Sequence, residues 1–206
     1  MKKIAIIIIG ILISVSTNAQ EKNLSFMIGV GVSYPTSPTE FKSSWKNGFT
    51  FTGAGYYRLS EHLSSGLHLG YHYFGLENEK YYTDIMVIET SGGEITVFTA
   101  MPGIMHTFTD GRISPFLELG LGIFYLQRER SNSSGFIHII TTPDDEYTIV
   151  VESDSYSETK FGFRIGGGIE IKSMFGKSIL LDISYTVGST NSESSEFLLT
   201  GLRIKF

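Results

Sequence analysis

From residue 24 onward, large apolar side chains recur at every second position in run after run. In LSFMIGVGVSY, Leu24, Phe26, Ile28, Val30, Val32 and Tyr34 share one parity, and Ser25, Met27, Gly29, Gly31 and Ser33 take the other. KFGFRIGGGIEIK sets Phe161, Phe163, Ile165, Gly167, Ile169 and Ile171 against Gly162, Arg164, Gly166, Gly168, Glu170 and Lys172. SILLDISYTVG and SEFLLTGLRIKF repeat the division, with Ile179, Leu181, Ile183, Leu202, Ile204 and Phe206 opposite Asp182, Ser184, Gly201, Arg203 and Lys205. A two-residue period places such sets on opposite faces of β-strands. The pattern predicts eight strands, over 24–34, 48–59, 63–81, 93–108, 114–130, 160–172, 178–188 and 196–206. Their connections alternate in length: LSEHL, TDGRIS and SMFGKS are short, whereas 35–47, the region near 77–93, and 131–159 are long.

The contents of the two faces decide which way they point. One face is aliphatic and aromatic; the other mixes glycine with Arg164, Glu170, Asp182 and Arg203. A soluble barrel turns its bulky face inward and its charges to water. Small residues and pairable charges opposite a bulky face fit the inverse, a narrow eight-stranded barrel whose bulk meets lipid. The expected fold is therefore all-β, an eight-stranded antiparallel transmembrane β-barrel with short periplasmic turns and long outer hairpins. Tyr34, Tyr57, Tyr71, Tyr73, Tyr125 and Tyr185 lie near strand ends or outer levels, as an interfacial girdle requires. Two segments fit less well: NGFTFTGAGYYRL puts Gly53 and Gly55 on the lipid side, and ITVFTAMPGIMHTF has an ambiguous parity at Pro102, a position for a bulge.

The first residues follow a different logic. Lys2 and Lys3 precede the apolar run Ile4 to Ile13, and Thr17-Asn18-Ala19 offers small residues before a cut. This layout predicts a secretory signal over 1–19 and a barrel domain over 20–206. Its apolar centre is too short to span a membrane comfortably, and the chain has no apolar run long enough for a spanning helix. Cysteine is absent, which excludes disulfides, thiolate metal sites and a cysteine nucleophile. Loss of Lys2 and Lys3 makes the net charge of −5 more negative by two, a poor balance for nucleic-acid binding.

At this point the residues resemble a known group, small porin-like outer-membrane β-barrels of the OmpA/OmpX/OmpW type. The ending Leu202, Ile204 and Phe206 resembles the C-terminal signal read by the barrel-assembly machinery, and SPFLELGLGIFY resembles a recurring barrel strand. The resemblance implies residence in the outer membrane of a Gram-negative-type envelope, in contact with its lipid and lipopolysaccharide. KYYTDIMVIETSGGEITVFTA reads as two β-rich runs meeting at Ser91-Gly92-Gly93, and GFIHIITTPDDEYTIVVES as two meeting at Pro143-Asp144-Asp145. A raised sheet built from predicted strands three to six is similar to the OmpX arrangement.

Among inward positions, Arg58, Glu118, Arg164, Glu170, Asp182 and Arg203 form a candidate lumen charge network. Counting from the periplasmic ends puts Glu118, Glu170, Asp182 and Arg203 at one height, with Arg164 higher and Arg58 and His106 on the far wall. Such a network rigidifies a plugged lumen or gates a narrow solute path. His68 and His72 are four apart, about 13 Å on a strand, so one ion cannot bridge them. His62 in a turn and His138 in an outer hairpin have no metal-ligand partner nearby in sequence, and no metal or other cofactor is expected. Phe41 and Trp45 in the first long loop, and Asp144, Asp145 and Glu146 in an acidic outer hairpin, are candidates for outer-loop contact. No G-x-S-x-G elbow or outer-membrane enzyme signature is present, so a non-enzyme is expected. The leading expectation is a structural or surface-interaction role toward a surface protein or matrix partner; the alternative is a narrow channel for small or apolar solutes, and an outer-membrane lipid-modifying enzyme stands third.

Overall fold

The computed structural model describes residues 23–39, 42, 45–75, 79–83, 86–90, 93–129, 135–142, 145–151, 155–173, 177–189 and 194–206, those in 79–90, 129 and 135–151 as backbone. The expected leader over 1–19 lies outside them. Among the described residues run twelve strands: β1 Leu24–Ser37, β2 Gly48–Arg58, β3 Leu63–Gly75, β4 Glu79–Thr83, β5 Met86–Thr90, β6 Glu94–Thr107, β7 Ile113–Glu129, β8 Gly135–Thr142, β9 Asp145–Val151, β10 Tyr156–Lys172, β11 Ser178–Ser189 and β12 Ser194–Lys205. Eight of them close an antiparallel barrel in the order β1-β12-β11-β10-β7-β6-β3-β2. The seam is β1, where Val30 faces both Phe51 of β2 and Leu202 of β12. Closure pairs the backbone around the full wall, which hydrocarbon demands because an unpaired amide there costs several kcal/mol.

Alternation sorts side chains to the two sides of this wall. Ile28, Val30, Val32, Leu119, Leu121, Ile123, Leu181 and Ile183 all project outward and are exposed, a continuous apolar belt. Gly53 and Gly55 do face outward, and the Phe26 ring lies 3.5 Å from where a Gly55 side chain would start. Pro102 causes no bulge. The β3–β6 ladder is continuous from Leu63↔His106 to Gly75↔Glu94, and on the other side the β6–β7 pairing skips Met101 and Pro102 without changing register. Proline cannot donate to a ladder, so it leaves a gap while parity survives. Toward the end bearing the long connections, Phe49 stacks on Tyr73 at 5.0 Å, Tyr71 meets Phe98 at 5.1 Å, and Phe98 approaches Tyr125 at 6.4 Å. This row across β2, β3, β6 and β7 forms part of the expected girdle; Tyr57, by contrast, sits at the short-turn end.

The lumen departs from the expectation of small and charged contents. Two apolar layers fill it. Trp45, Phe74, Ile95, Val97, Phe124, Leu126 and Phe197 pack together in the outer half. Met27, Ala54, Tyr56, Met105, Phe116 and Leu180 pack in the half nearer the short turns. Bulk inside is sterically compatible with a narrow barrel because the inward glycines let the wall bend closely. At Gly168 a Cβ would collide with the carbonyl oxygen of Leu181 and lie 2.9 Å from the Asp182 Cα.

The remaining four strands make a second sheet in the order β4-β5-β8-β9, built from the two long insertions between β3 and β6 and between β7 and β10. Predicted strand three therefore does not run to residue 81: β3 ends at Gly75, and β4 belongs to the raised sheet. Its first hairpin turns between Thr83 and Met86, which are paired, rather than at Ser91-Gly92-Gly93. The second turns between Thr142 and Asp145, and β5 pairs with β8 to join the two hairpins.

Candidate functional site

Between the two apolar layers lies a ring of four charges. β7 supplies Glu118, β10 Arg164, β11 Asp182 and β12 Arg203, and all four are buried. Arg203 Nε donates to Asp182 Oδ1 at 3.2 Å, and Arg203 Nη1 lies 2.8 Å from Glu118 Oε2. Arg164 Nη2 donates to Asp182 Oδ2 at 3.4 Å, and its Nη1 forms a close ion pair with Glu118. Each guanidinium thus bridges both carboxylates, and the ring is neutral. Burying isolated charges costs several kcal/mol apiece, so these groups are tolerable only as a mutually paired set. Tyr56 Oη donates to Glu118 Oε1 at 2.6 Å from the β2 wall, and the Arg203 guanidinium lies 5.4 Å from the Phe116 ring. His68 of β3 is buried within electrostatic reach of Arg164, Glu118 and Arg203.

The heights counted from sequence need correction. Arg164 belongs to the ring and Glu170 does not. On the β10–β11 ladder Arg164 is opposite Thr186 and Gly168 opposite Asp182, so Arg164 starts on the outer side of Asp182. Arg203, opposite Leu180, starts on the other side. Two long side chains reach the short carboxylates from above and below. Glu170 lies nearer the short turns and pairs with Lys205 Nζ at 3.1 Å. Arg58 is exposed at the short-turn end of β2, and His106 packs against His62 and Phe108; neither enters the ring. Tyr56 was missed as a partner of the ring. The inward parity of Tyr56 opposite charged walls was the available signal.

A separate polar group lies on the outer side. Thr50 Oγ1 is 2.8 Å from His72 Nδ1 and in close contact with Ser33 Oγ, and the His72 ring sits 4.5 Å from Phe197. Lys160 Nζ donates to Ser195 Oγ at 3.2 Å and pairs with Glu158 at 3.1 Å. Trp45 is not an exposed contact residue. It is 7 % exposed within the outer apolar layer, with the Arg128 guanidinium 5.6 Å from its ring. Its indole fills the lumen mouth, where burial of a large ring outweighs solvent contact. Phe41 and Asp144 lie outside the described residues, and Asp145 and Glu146 are described as backbone of β9. Leu202, Ile204 and Phe206 project outward, and Phe206 closes the ladder with Phe26 through an N–H to carbonyl bond of 2.9 Å.

A closed eight-stranded barrel with an apolar outer belt and a raised hairpin sheet defines a small outer-membrane β-barrel protein. The family model described as outer membrane protein beta-barrel domain matches residues 5–203, and the chain belongs to this family and to the outer membrane. Among solved structures, Neisserial surface protein A aligns with a TM-score of 0.55 at 9 % identity, covering 88 % of this chain and 95 % of its own. OprG from Pseudomonas aeruginosa aligns with a TM-score of 0.49 at 10 % identity, covering 89 % and 96 %. The attachment invasion locus protein Ail of Yersinia pestis, solved with the heparin analogue sucrose octasulfate, gives a TM-score of 0.48 at 14 % identity, covering 89 % and 99 %. No curated protein matches the chain. At these identities the likeness shows a shared fold.

Proposed function

We propose that this protein is a sealed, non-enzymatic barrel that carries its working surface outside the membrane, on the β4-β5-β8-β9 sheet. The observation that carries this reading is the layering of the lumen. Phe74, Phe124 and Phe197 in the outer layer, and Leu180 in the inner one, are each 0 % exposed, so water does not reach them. A conducting path needs polar groups or water from end to end, whereas here a charged ring is closed off by apolar side chains on both sides. The raised sheet offers two edge strands, β4 and β9, whose outer backbone groups are suited to pairing with an extended partner segment. Support for a surface protein or matrix partner rests on those edges. The outward stripe Leu202, Ile204 and Phe206 fits the segment that the barrel-assembly machinery reads during insertion.

The test has two arms. In planar bilayers the refolded protein is expected to give no reproducible single-channel step; a reproducible step overturns the sealed reading. On the cell surface, replacing 76–92 and 130–154 with short turns is expected to abolish adhesion to matrix or neighbouring cells while the heat-modifiable barrel persists. Adhesion that survives this replacement overturns the surface reading, and an altered lipid A profile on expression overturns the non-enzymatic one.

A further inference from the structure

The β2–β3 turn and the β6–β7 turn lie side by side, because β3 and β6 are ladder neighbours and Leu63 is paired with His106. Thr107 N donates to the His62 carbonyl at 2.8 Å, tying one turn to the other. Lys172 Nζ donates to the Asp110 carbonyl at 3.1 Å and braces the second turn from β10. These bonds bring Glu61, His62 and Asp110 together, with one ligand atom from each lying within 4.8 Å of the others. His62 Nδ1 is 3.8 Å from Asp110 Oδ1 and has no hydrogen-bond partner among the described residues. The His106 ring stands 6.2 Å from that of His62, edge-on.

We propose that Glu61, His62 and Asp110 bind a divalent transition-metal ion, with Zn2+ the best match, and that the ion staples the two turns at the short-turn rim of the barrel. Zinc takes imidazole nitrogen and carboxylate oxygen at about 2.0–2.2 Å, which sets tetrahedral donors roughly 3.3–3.6 Å apart. The His62–Asp110 separation is a few tenths of an ångström wider and the three ligand atoms lie within 4.8 Å of one another, so the exposed Glu61 and Asp110 side chains draw inward on binding. One imidazole with two carboxylates favours zinc over calcium or magnesium, which prefer oxygen donors throughout. The two carboxylates neutralise the ion. Glu61 and Asp110 are exposed, so the ion enters directly from water, and water completes the fourth position. The site was invisible in the sequence because His62 and Asp110 meet only through the β3–β6 pairing.

The experiment is calorimetric titration of the full-length, detergent-refolded chain with Zn2+. One saturable site is expected, weakened by at least about tenfold in both His62→Ala and Asp110→Asn, since even indirect partners of a metal ligand change affinity by that factor. Absence of saturable binding, or unchanged affinity in the double variant, overturns the site; displacement of Zn2+ by an equal concentration of Ca2+ overturns the metal assignment. A gel-mobility shift on boiling verifies that each variant is folded. The wild type supplies a reading that needs no variant: Zn2+ is expected to protect His62 from imidazole acylation followed by mass spectrometry, and equal modification with and without the ion overturns the proposal.

Discussion

The lumen and the raised sheet are built from the same kind of strand, yet they treat polar groups in opposite ways. Inside the barrel, each of the four ring charges is held by opposite charges, and apolar layers cover the ring above and below. In the raised sheet, β4 and β9 end the ladder and leave one side of each backbone available. The first arrangement stabilises one structure; the second is the surface we propose a partner meets. On that proposal stability and contact fall to different regions, and substitutions in one are expected to spare the other.

The largest effect is expected from Arg203→Ala, which leaves two buried carboxylates to share Arg164 alone, with one negative charge uncompensated, and costs about 3–5 kcal/mol. Denaturant unfolding followed by fluorescence reads this directly, because Trp45 is the single tryptophan and is buried in the outer layer. A loss below about 1 kcal/mol would mean that the ring does not hold the lumen together. Tyr56→Phe removes a hydrogen bond to a charged acceptor and is expected to cost about 1.5–3 kcal/mol by the same assay. Gly168→Ala pushes a methyl group into the β11 backbone; about 1–2 kcal/mol of destabilisation should appear, with a lower boiling threshold for the gel shift. Lys205→Gln leaves the buried Glu170 facing a neutral amide and should cost about 1–2 kcal/mol, less than Arg203→Ala, because the Lys205 side chain is 18 % exposed and water reaches its end of the pair. The smallest stability change is expected from proline at Thr148 or Ile149 in the β9 edge strand: within about 0.5 kcal/mol for the barrel, with loss of surface adhesion. If either proline variant unfolded the barrel, the separation of the two regions would fail.

Much of this architecture was legible residue by residue. Parity along β1, β10, β11 and β12 placed Arg164, Asp182 and Arg203 inward and Ile28, Leu181 and Leu202 outward, and the chain's own glycines signalled an inverted barrel. Height was harder to read. Glu170 and Arg164 share a strand and a face, and only the β10–β11 and β11–β12 registers, together with the reach of the long basic side chains, put Arg164 on Asp182 and Glu170 on Lys205. Trp45 in a long connection looked like a contact residue because connections are usually solvated, whereas the outer mouth of the barrel takes it in as a plug.

The split has a physical basis. A strand's pleat repeats every two residues whatever it pairs with, so faces, strand number and the sign of the barrel follow from the sequence alone. Which side chains share a level depends on how far neighbouring strands slide past one another before their hydrogen bonds lock, and on how far each side chain then reaches. That choice belongs to the closed barrel as a whole. It set the neutral ring between two apolar layers, and it brought His62 beside Asp110.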